Sequence, residues 1–428
     1  MRIYKYPDRK DWPAIVGRQK KGSPDSIRET VAAIIEDVRT GGDSKVLEYV
    51  EKLDGYVTDA AGLMVSGREM EEAEAKVSAG LKSAIMTAAD NIVKFHAAQL
   101  PRDIVLETSP GVTCTQKNIP LGTVGLYVPG GTAPLFSTVL MLAGPARTAG
   151  VSRIVICTPA GRDGKISPAI LFAAKVCGVE EIYKVGGAVA IAAMAYGTET
   201  IPKTDKIFGP GNAYVTEAKQ QISQVCAIDM PAGPSEVLIM ADDSARADFV
   251  CADFLSQLEH GKDSQAILLT TSEALAAAVA EALPQQAALL SRKSFVDMSI
   301  AKSVIVVLQS EAEMVEFSNS YAPEHLIIAT SDYRKTVGGI RNAGSVFLGN
   351  YSTESAGDYA SGTNHTLPTG GWAVAYSGVN LSSFMKKITV QEISEDGLRK
   401  LGPVIEAMAT AEGLDAHANA VRIRLKEI

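Results

Sequence analysis

An amide and an imidazole, Gln257 and His260, lie three residues apart in Phe254-Leu-Ser-Gln-Leu-Glu-His-Gly-Lys-Asp-Ser264. On a helix that spacing sends both side chains off one face, a turn from each other. The residues from about Ser244 onward predict such a helix, with Gly261 in the left-handed conformation that stops it. Three other histidines also sit beside acids or amides. His325 follows Glu324 in Tyr321-Ala-Pro-Glu-His-Leu326, His365 closes Glu354-Ser-Ala-Gly-Asp-Tyr-Ala-Ser-Gly-Thr-Asn-His365, and His417 ends Ala411-Glu-Gly-Leu-Asp-Ala-His417. If these stretches converge, they supply metal ligands and a general base. Taken singly, each is equally a surface or core histidine, and without an HExxH or CxxC pattern the spacing leaves both readings open. The fifth histidine, His96, lies among Ile92, Val93 and Phe95 of a helical stretch and reads as structural. The pair Glu324-His325 falls where Pro323 ends a helix and Leu326 begins a strand. Neighbours in an extended chain point to opposite faces, so both reach one substrate only if the turn bends them together.

These residues need a scaffold, and the chain after Asn118 predicts one. Strands at 119–128, 153–157, 181–185 and 206–208 alternate with helices at 167–177 and 213–224, a βα pattern that implies a parallel sheet with its ligand crevice at the strand C-terminal ends. Three of these strands run into glycine turns: Gly130-Gly131, Gly186-Gly187 and Gly209-Pro-Gly-Asn212. The last carries only two glycines of a dinucleotide fingerprint, with Tyr214 in the third place, so it reads either as a plain turn or as an atypical cofactor loop. A second α/β unit begins with Glu236-Val-Leu-Ile-Met240 and continues to Ser345-Val-Phe-Leu348. Upstream lie a polar lead-in closed by Gly22-Ser-Pro24 and two helical stretches, 26–53 (interrupted at Gly41-Gly42) and 66–99. Beyond about Ser382 the chain reads as helical and polar.

The totals bound the function. At 428 residues, two or more domains are expected. A net charge of −8 disfavours nucleic acid as the main partner. Isolated cysteines at 114, 157, 177, 226 and 251 form no paired spacing, the pattern of a reduced, cytoplasmic protein. The N-terminus lacks an apolar signal core, and the most apolar stretch, 185–196, is too short to span a membrane.

Taken together, Gly209-Pro-Gly-Asn212, Asp229-Met-Pro-Ala-Gly-Pro-Ser-Glu236, Ser256-Gln-Leu-Glu-His-Gly261, Tyr321-Ala-Pro-Glu-His325, the run from Ser355 to His365, and Glu412 with His417 resemble the histidinol dehydrogenase family over nearly the whole chain. The resemblance implies oxidation of L-histidinol to L-histidine, the last step of histidine biosynthesis, with NAD and one Zn2+ per subunit and through a bound aldehyde. It implies Gln257, His260, Asp358 and His417 as metal ligands that also hold the substrate, an oxygen and nitrogen set that would equally accept Mn or Co. His325 becomes the base and Glu324 the activator of water. Ser235, His365 and Glu412 line the substrate pocket, while Tyr127, Val189 and Asn212 contact NAD. Val189 departs from the Gln common in the family and cannot offer an amide's hydrogen bonds.

The implied fold is α/β, with two Rossmann-like domains of parallel sheets and small terminal segments exchanged across a homodimer. Residues 1–25 are expected as a dimer arm, 26–124 with 236–380 as the domain carrying metal and catalytic residues, 125–235 as the NAD-contacting domain, and 381–428 as a helical tail completing the partner's site. Two rival functions share these residues: a dehydrogenase of another small alcohol, such as a sulfonated diol, and a zinc hydrolase in which Glu324 activates water without redox.

Overall fold

Strand Glu236–Ala241 is buried along its whole length, as a central parallel strand must be. Its alternate residues feed two separate cores. Val237, Ile239 and Ala241 pack with Val250 and Phe254 of helix Ala247–Leu258 and Val279 of helix Glu273–Ala287. Leu238 and Met240 face Trp12, Ile15, Met314 and Phe317 on the other side. The strand sits inside a six-stranded parallel sheet, in the order Arg2–Lys5, Val304–Val307, Gln265–Thr270, Glu236–Ala241, His325–Ala329, Ser345–Leu348. The computed structural model describes residues 1–18, 24–130, 134–231 and 233–428. Gly22, Gly131 and Ala232 of the sequence reading lie outside them.

A second parallel sheet has five strands, ordered Glu181–Tyr183, Arg153–Cys157, Thr123–Tyr127, Lys206–Phe208, Ala227–Ile228. Both sheets alternate with helices, so the α/β expectation with parallel sheets holds. The expected grouping of 26–124 with 236–380 does not. Val31, Val38 and Val46 of helix Asp25–Tyr49, with Ile85 and Ile92 of helix Ala79–Ala97, share one core with Val124, Val155 and Ile207 of the five-stranded sheet. Helical periodicity showed that these stretches have an apolar face but not which sheet that face covers. The start of the lead-in packs on its own chain. Arg2–Lys5 pairs in register with Val304–Val307, and Trp12 lies 5.0 Å from the Phe317 ring. Helix Asp25–Tyr49 bends at Gly42 (φ 53, ψ −139), the interruption expected at Gly41-Gly42.

The third sheet is antiparallel and was not anticipated: Met385–Ile393 pairs with Val112–Pro120, which pairs with Ile104–Ser109. Residues 385–393 are therefore a strand, and the helical tail starts only at Glu395–Ala411, followed by Asp415–Glu427. Ile388 and Val390 share one face of this strand, as its period of two requires. Ring stacking of Phe384 on Phe208, at 4.2 Å, anchors the root of this tail to the five-stranded sheet. Among the described residues, no helix is long and apolar enough to cross a membrane.

Candidate active site

The catalytic candidates gather at the amino ends of strands in the six-stranded sheet. His325 opens one strand, in register with Val237, just after Glu236 opens the next. Helix Glu311–Tyr321 is terminated by Ala322, which takes an unusual left-handed φ of 52°. That bend brings Glu324 and His325 together: His325 Nδ1 is 3.7 Å from Glu324 Oε2, and both residues are buried. Glu324 Oε2 accepts from the Glu236 backbone N–H at 2.8 Å, and His325 Nδ1 donates to the Glu236 carbonyl at 3.2 Å. Nδ1 donates in either charge state, so Nε2 is the nitrogen whose proton can come and go. It is buried, has no hydrogen-bond partner and lies 3.5 Å from Asp358 Oδ1.

This turn leaves no room beside it. A Cβ at Gly344 would lie 2.5 Å from the Glu324 carbonyl, which itself accepts from Ser345 N–H at 2.9 Å. Gly344→Ala is expected to shift the Glu324 backbone, costing about 1–3 kcal/mol of stability by overpacking and lowering kcat. An unaltered melting temperature and kcat would disprove that reading.

Gln257 lies on the last turn of helix Ala247–Leu258 and is wholly buried, while His260 follows two residues beyond the helix end with its side chain 44% exposed. The expected left-handed Gly261 is not found. Glu259 stays right-handed and the chain folds into a turn closed by Ser264 N–H on Gly261 O (3.1 Å), so the helix stops without a left-handed residue. Opposite stands helix Glu354–Tyr359. It brings Asp358 Oδ2 to 4.0 Å from His260 Nε2, and ligand atoms of His260, Glu354 and Asp358 all lie within 4.8 Å of one another. His365 Nδ1 bonds the Asp358 carbonyl at 3.0 Å and its Nε2 meets Thr138 Oγ1 at 3.3 Å, while Asn364 donates to Met141 O at 2.5 Å. These contacts tie the cluster to helix Phe136–Ala149 of the five-stranded unit, so the site lies where the two units meet.

The electrostatics suit a cation. Burial pushes the Glu324 carboxyl up to about 8 against the pull of His325. Burial alone would lower His325, but Glu354, Glu324 and Asp358 outweigh it and draw the imidazole up to about 10. Burial lowers His260 and His365, keeping both neutral and fit to offer lone pairs. Three carboxylates around one imidazole make a buried site short of positive charge.

Glu354 was missed as a functional residue, although it opens a quoted motif. Its signal was the i,i+4 spacing to Asp358, which aligns both on one helical face. Ser235 directly precedes Glu236 and is half-buried. Glu412 and His417 are exposed on the tail, and His417 is outside the metal-type group found among the described residues.

Tyr127, Val189 and Asn212 lie apart, at the other sheet. Tyr127 ends its strand, is buried, and its hydroxyl accepts from Gly187 N–H at 3.2 Å, at the start of helix Gly187–Tyr196. Asn212 caps helix Ala213–Ile222, its Oδ1 accepting from Tyr214 and Val215 N–H. Val189 is 2% exposed within the core. A Cβ at Gly209 would lie 2.1 Å from the Tyr127 carbonyl, so the two strand ends approach as closely as glycine permits. Two helix N-termini thus open at the carboxyl ends of a parallel sheet, the usual cradle of a pyrophosphate.

Asp54 accepts from Gly186 N–H beside this crevice, and burial pushes its carboxyl up to about 6 from 3.8. A folded-state value above the unfolded one means that stability is lost as pH rises through this window. Asp54→Asn, which keeps the acceptor oxygen, is therefore expected to melt above the parent at pH 8, with the gap narrowing as pH falls through about 6 and closing only below the unfolded value of 3.8. A gap independent of pH overturns this.

Comparison with known proteins gives one consistent result. The family model for histidinol dehydrogenase matches residues 17–425. The chain is 55% identical to the histidinol dehydrogenase of Bacteroides fragilis and 53% identical to that of Bacteroides thetaiotaomicron, covering 100% of both chains in each case. It is 51% identical to that of Vibrio cholerae over 94% of this chain and 93% of the relative. A crystal structure of histidinol dehydrogenase from Elizabethkingia anophelis superimposes with a TM-score of 0.96 at 49% identity, over 100% of this chain and 98% of that one.

Proposed function

Because the chain belongs to the histidinol dehydrogenase family, NAD-dependent oxidoreductases of histidine biosynthesis, we propose that its residues divide the four-electron oxidation of L-histidinol to L-histidine as follows. The observation that carries this reading is the convergence of Gln257, Glu324, His325, Asp358 and His365 in one cluster that His260 closes on its solvent side. A divalent metal fits the donor set: neutral imidazole, carboxylates and an amide, without thiolate, around uncompensated negative charge. Gln257, His260 and Asp358 would hold it, with His417 of the partner subunit's tail as the fourth ligand. When bound, Zn2+ supplies a positive anchor for the substrate's imidazole and amino nitrogens.

His325 Nε2 takes the alcohol proton as the carbon's hydride passes to NAD. Glu324 then deprotonates the water that adds to the aldehyde while His325 returns its proton to the aldehyde oxygen, and the freed His325 takes the hydroxyl proton of the resulting hydrate as the second hydride passes to a second NAD. Ser235, His365 and the partner's Glu412 shape the pocket. Tyr127 and the Asn212 NH2 group face the dinucleotide. Val189 adds only apolar contact.

The homodimer with shared sites is supported by what one chain leaves uncovered. Ile104, Val105 and Leu106 on the edge of the antiparallel sheet are 55%, 68% and 58% exposed, and Val404 and Met408 on the tail are 52% and 62% exposed. An apolar surface of that kind marks an association face. The reaction is tested by supplying L-histidinol, NAD and Zn2+: two NADH per histidinol consumed are expected. Preference for a sulfonated diol, or turnover without NAD, would establish one of the rivals instead.

A further inference from the structure

We propose that Glu354 is a positioning residue for the metal site, holding the Gln257 amide so that its oxygen rather than its NH2 is presented as a ligand. The inference rests on the metal site proposed above.

The two helices that carry the site face each other in rungs. Thr353 Oγ1 donates to Asp253 Oδ1 at 2.8 Å, Glu354 faces Gln257, and Asp358 faces His260. The i,i+4 spacings of Asp253 with Gln257 and of Glu354 with Asp358 keep these rungs in register. Gln257 is 0% exposed and Glu354 1%, so neither can satisfy itself with water. In the orientation that satisfies both groups, the Gln257 NH2 donates to Glu354 Oε1 at 2.6 Å and Oε2 at 3.3 Å. The reverse orientation sets the amide oxygen against two carboxylate oxygens, with the NH2 turned away.

An amide has one donating and one accepting end, and the Glu354 oxygens beside it meet its NH2 as acceptors. Once Glu354 takes up the NH2, the oxygen is the end left free, and only the oxygen can ligate a cation. Without that acceptor the terminal amide torsion has two nearly equivalent settings, one of which offers the ion a donor. Partners of this kind commonly set ligand orientation at metal sites. A Glu354 oxygen also lies within 4.8 Å of the ligand atoms of His260 and Asp358, so direct ligation is the competing role.

The test measures Zn2+ affinity by competition with a chromophoric chelator, and Co2+ absorption spectra, on the intact protein without substrate or NAD. Glu354→Ala is expected to weaken Zn2+ binding by about 10–100-fold and to alter the Co2+ spectrum. Glu354→Gln, whose own oxygen still accepts from Gln257, is expected to keep both near the parent. Equal weakening in the two variants would make the carboxylate's charge the active feature and overturn the positioning role, as would parent-like binding by Glu354→Ala. Should Glu354→Ala fail to fold, the exchange variant decides. Gln257→Glu with Glu354→Gln rebuilds the pair in reverse and is expected to recover binding lost in Gln257→Glu alone; no recovery overturns the proposal. A parent protein that binds neither ion would sink the metal site itself, a failure distinct from that of Glu354 alone.

Discussion

His325→Asn is expected to lower kcat for L-histidinol oxidation by about 10²- to 10⁴-fold, the usual size of a general-base contribution, and to slow both NADH-forming steps. The expectation follows from geometry. His325 Nδ1 is committed to the Glu236 carbonyl, so Nε2 is the nitrogen left to work, and it is buried without a partner beside Asp358. Glu324→Gln is expected to behave differently. Its carboxylate is bonded to the Glu236 N–H, an arrangement an amide oxygen preserves. The first oxidation needs no water and should survive, whereas hydration of the aldehyde should not. A single-turnover experiment should then show one NADH per site, followed by a stall. If the two variants lose both steps alike, the division of labour between these neighbours is wrong.

Mixing His417→Ala chains with His260→Ala chains should restore activity that neither variant has alone. In a dimer whose tails cross, each heterodimer rebuilds one site from the intact His260 of one chain and the intact His417 of the other. Random exchange makes half the dimers mixed, with one of two sites rebuilt, so recovery should approach about one quarter of the parent activity. The structural motive is that Glu412 and His417 are exposed on a tail whose own chain already fills the cluster with His260, Glu354 and Asp358. No recovery after demonstrated subunit exchange would place His417 in its own chain or remove it from the site.

Local pattern alone carried several features of the molecule. The pairing of Gln257 with His260, the junction at Glu324-His325, the glycine turns at Gly186 and Gly209 and the alternation of strands and helices were legible because each depends on residues close in sequence. The same reasoning misplaced what depends on partners. An apolar helical face does not name its sheet, so the helices of 25–97 were assigned to the wrong core. The strand Met385–Ile393 is not visible in local pattern because its partner, Val112–Pro120, is remote in sequence. Gly261 was given a left-handed cap that the turn closing at Ser264 made unnecessary.

By itself, then, the sequence determined the α/β class, the family resemblance and one half of a metal-type site, because periodicity and local spacing are short-range properties of the chain. Only the tertiary structure decided that the half-site meets Glu354 and Asp358 across a helix pair, that Ala322 bends Glu324 toward His325, and that Asp358 stands between the buried His325 and the more exposed His260. Gln257 with Glu354, and His260 with Asp358, stand nearly a hundred residues apart in the chain, and burial of the sheets' cores is what brings them together.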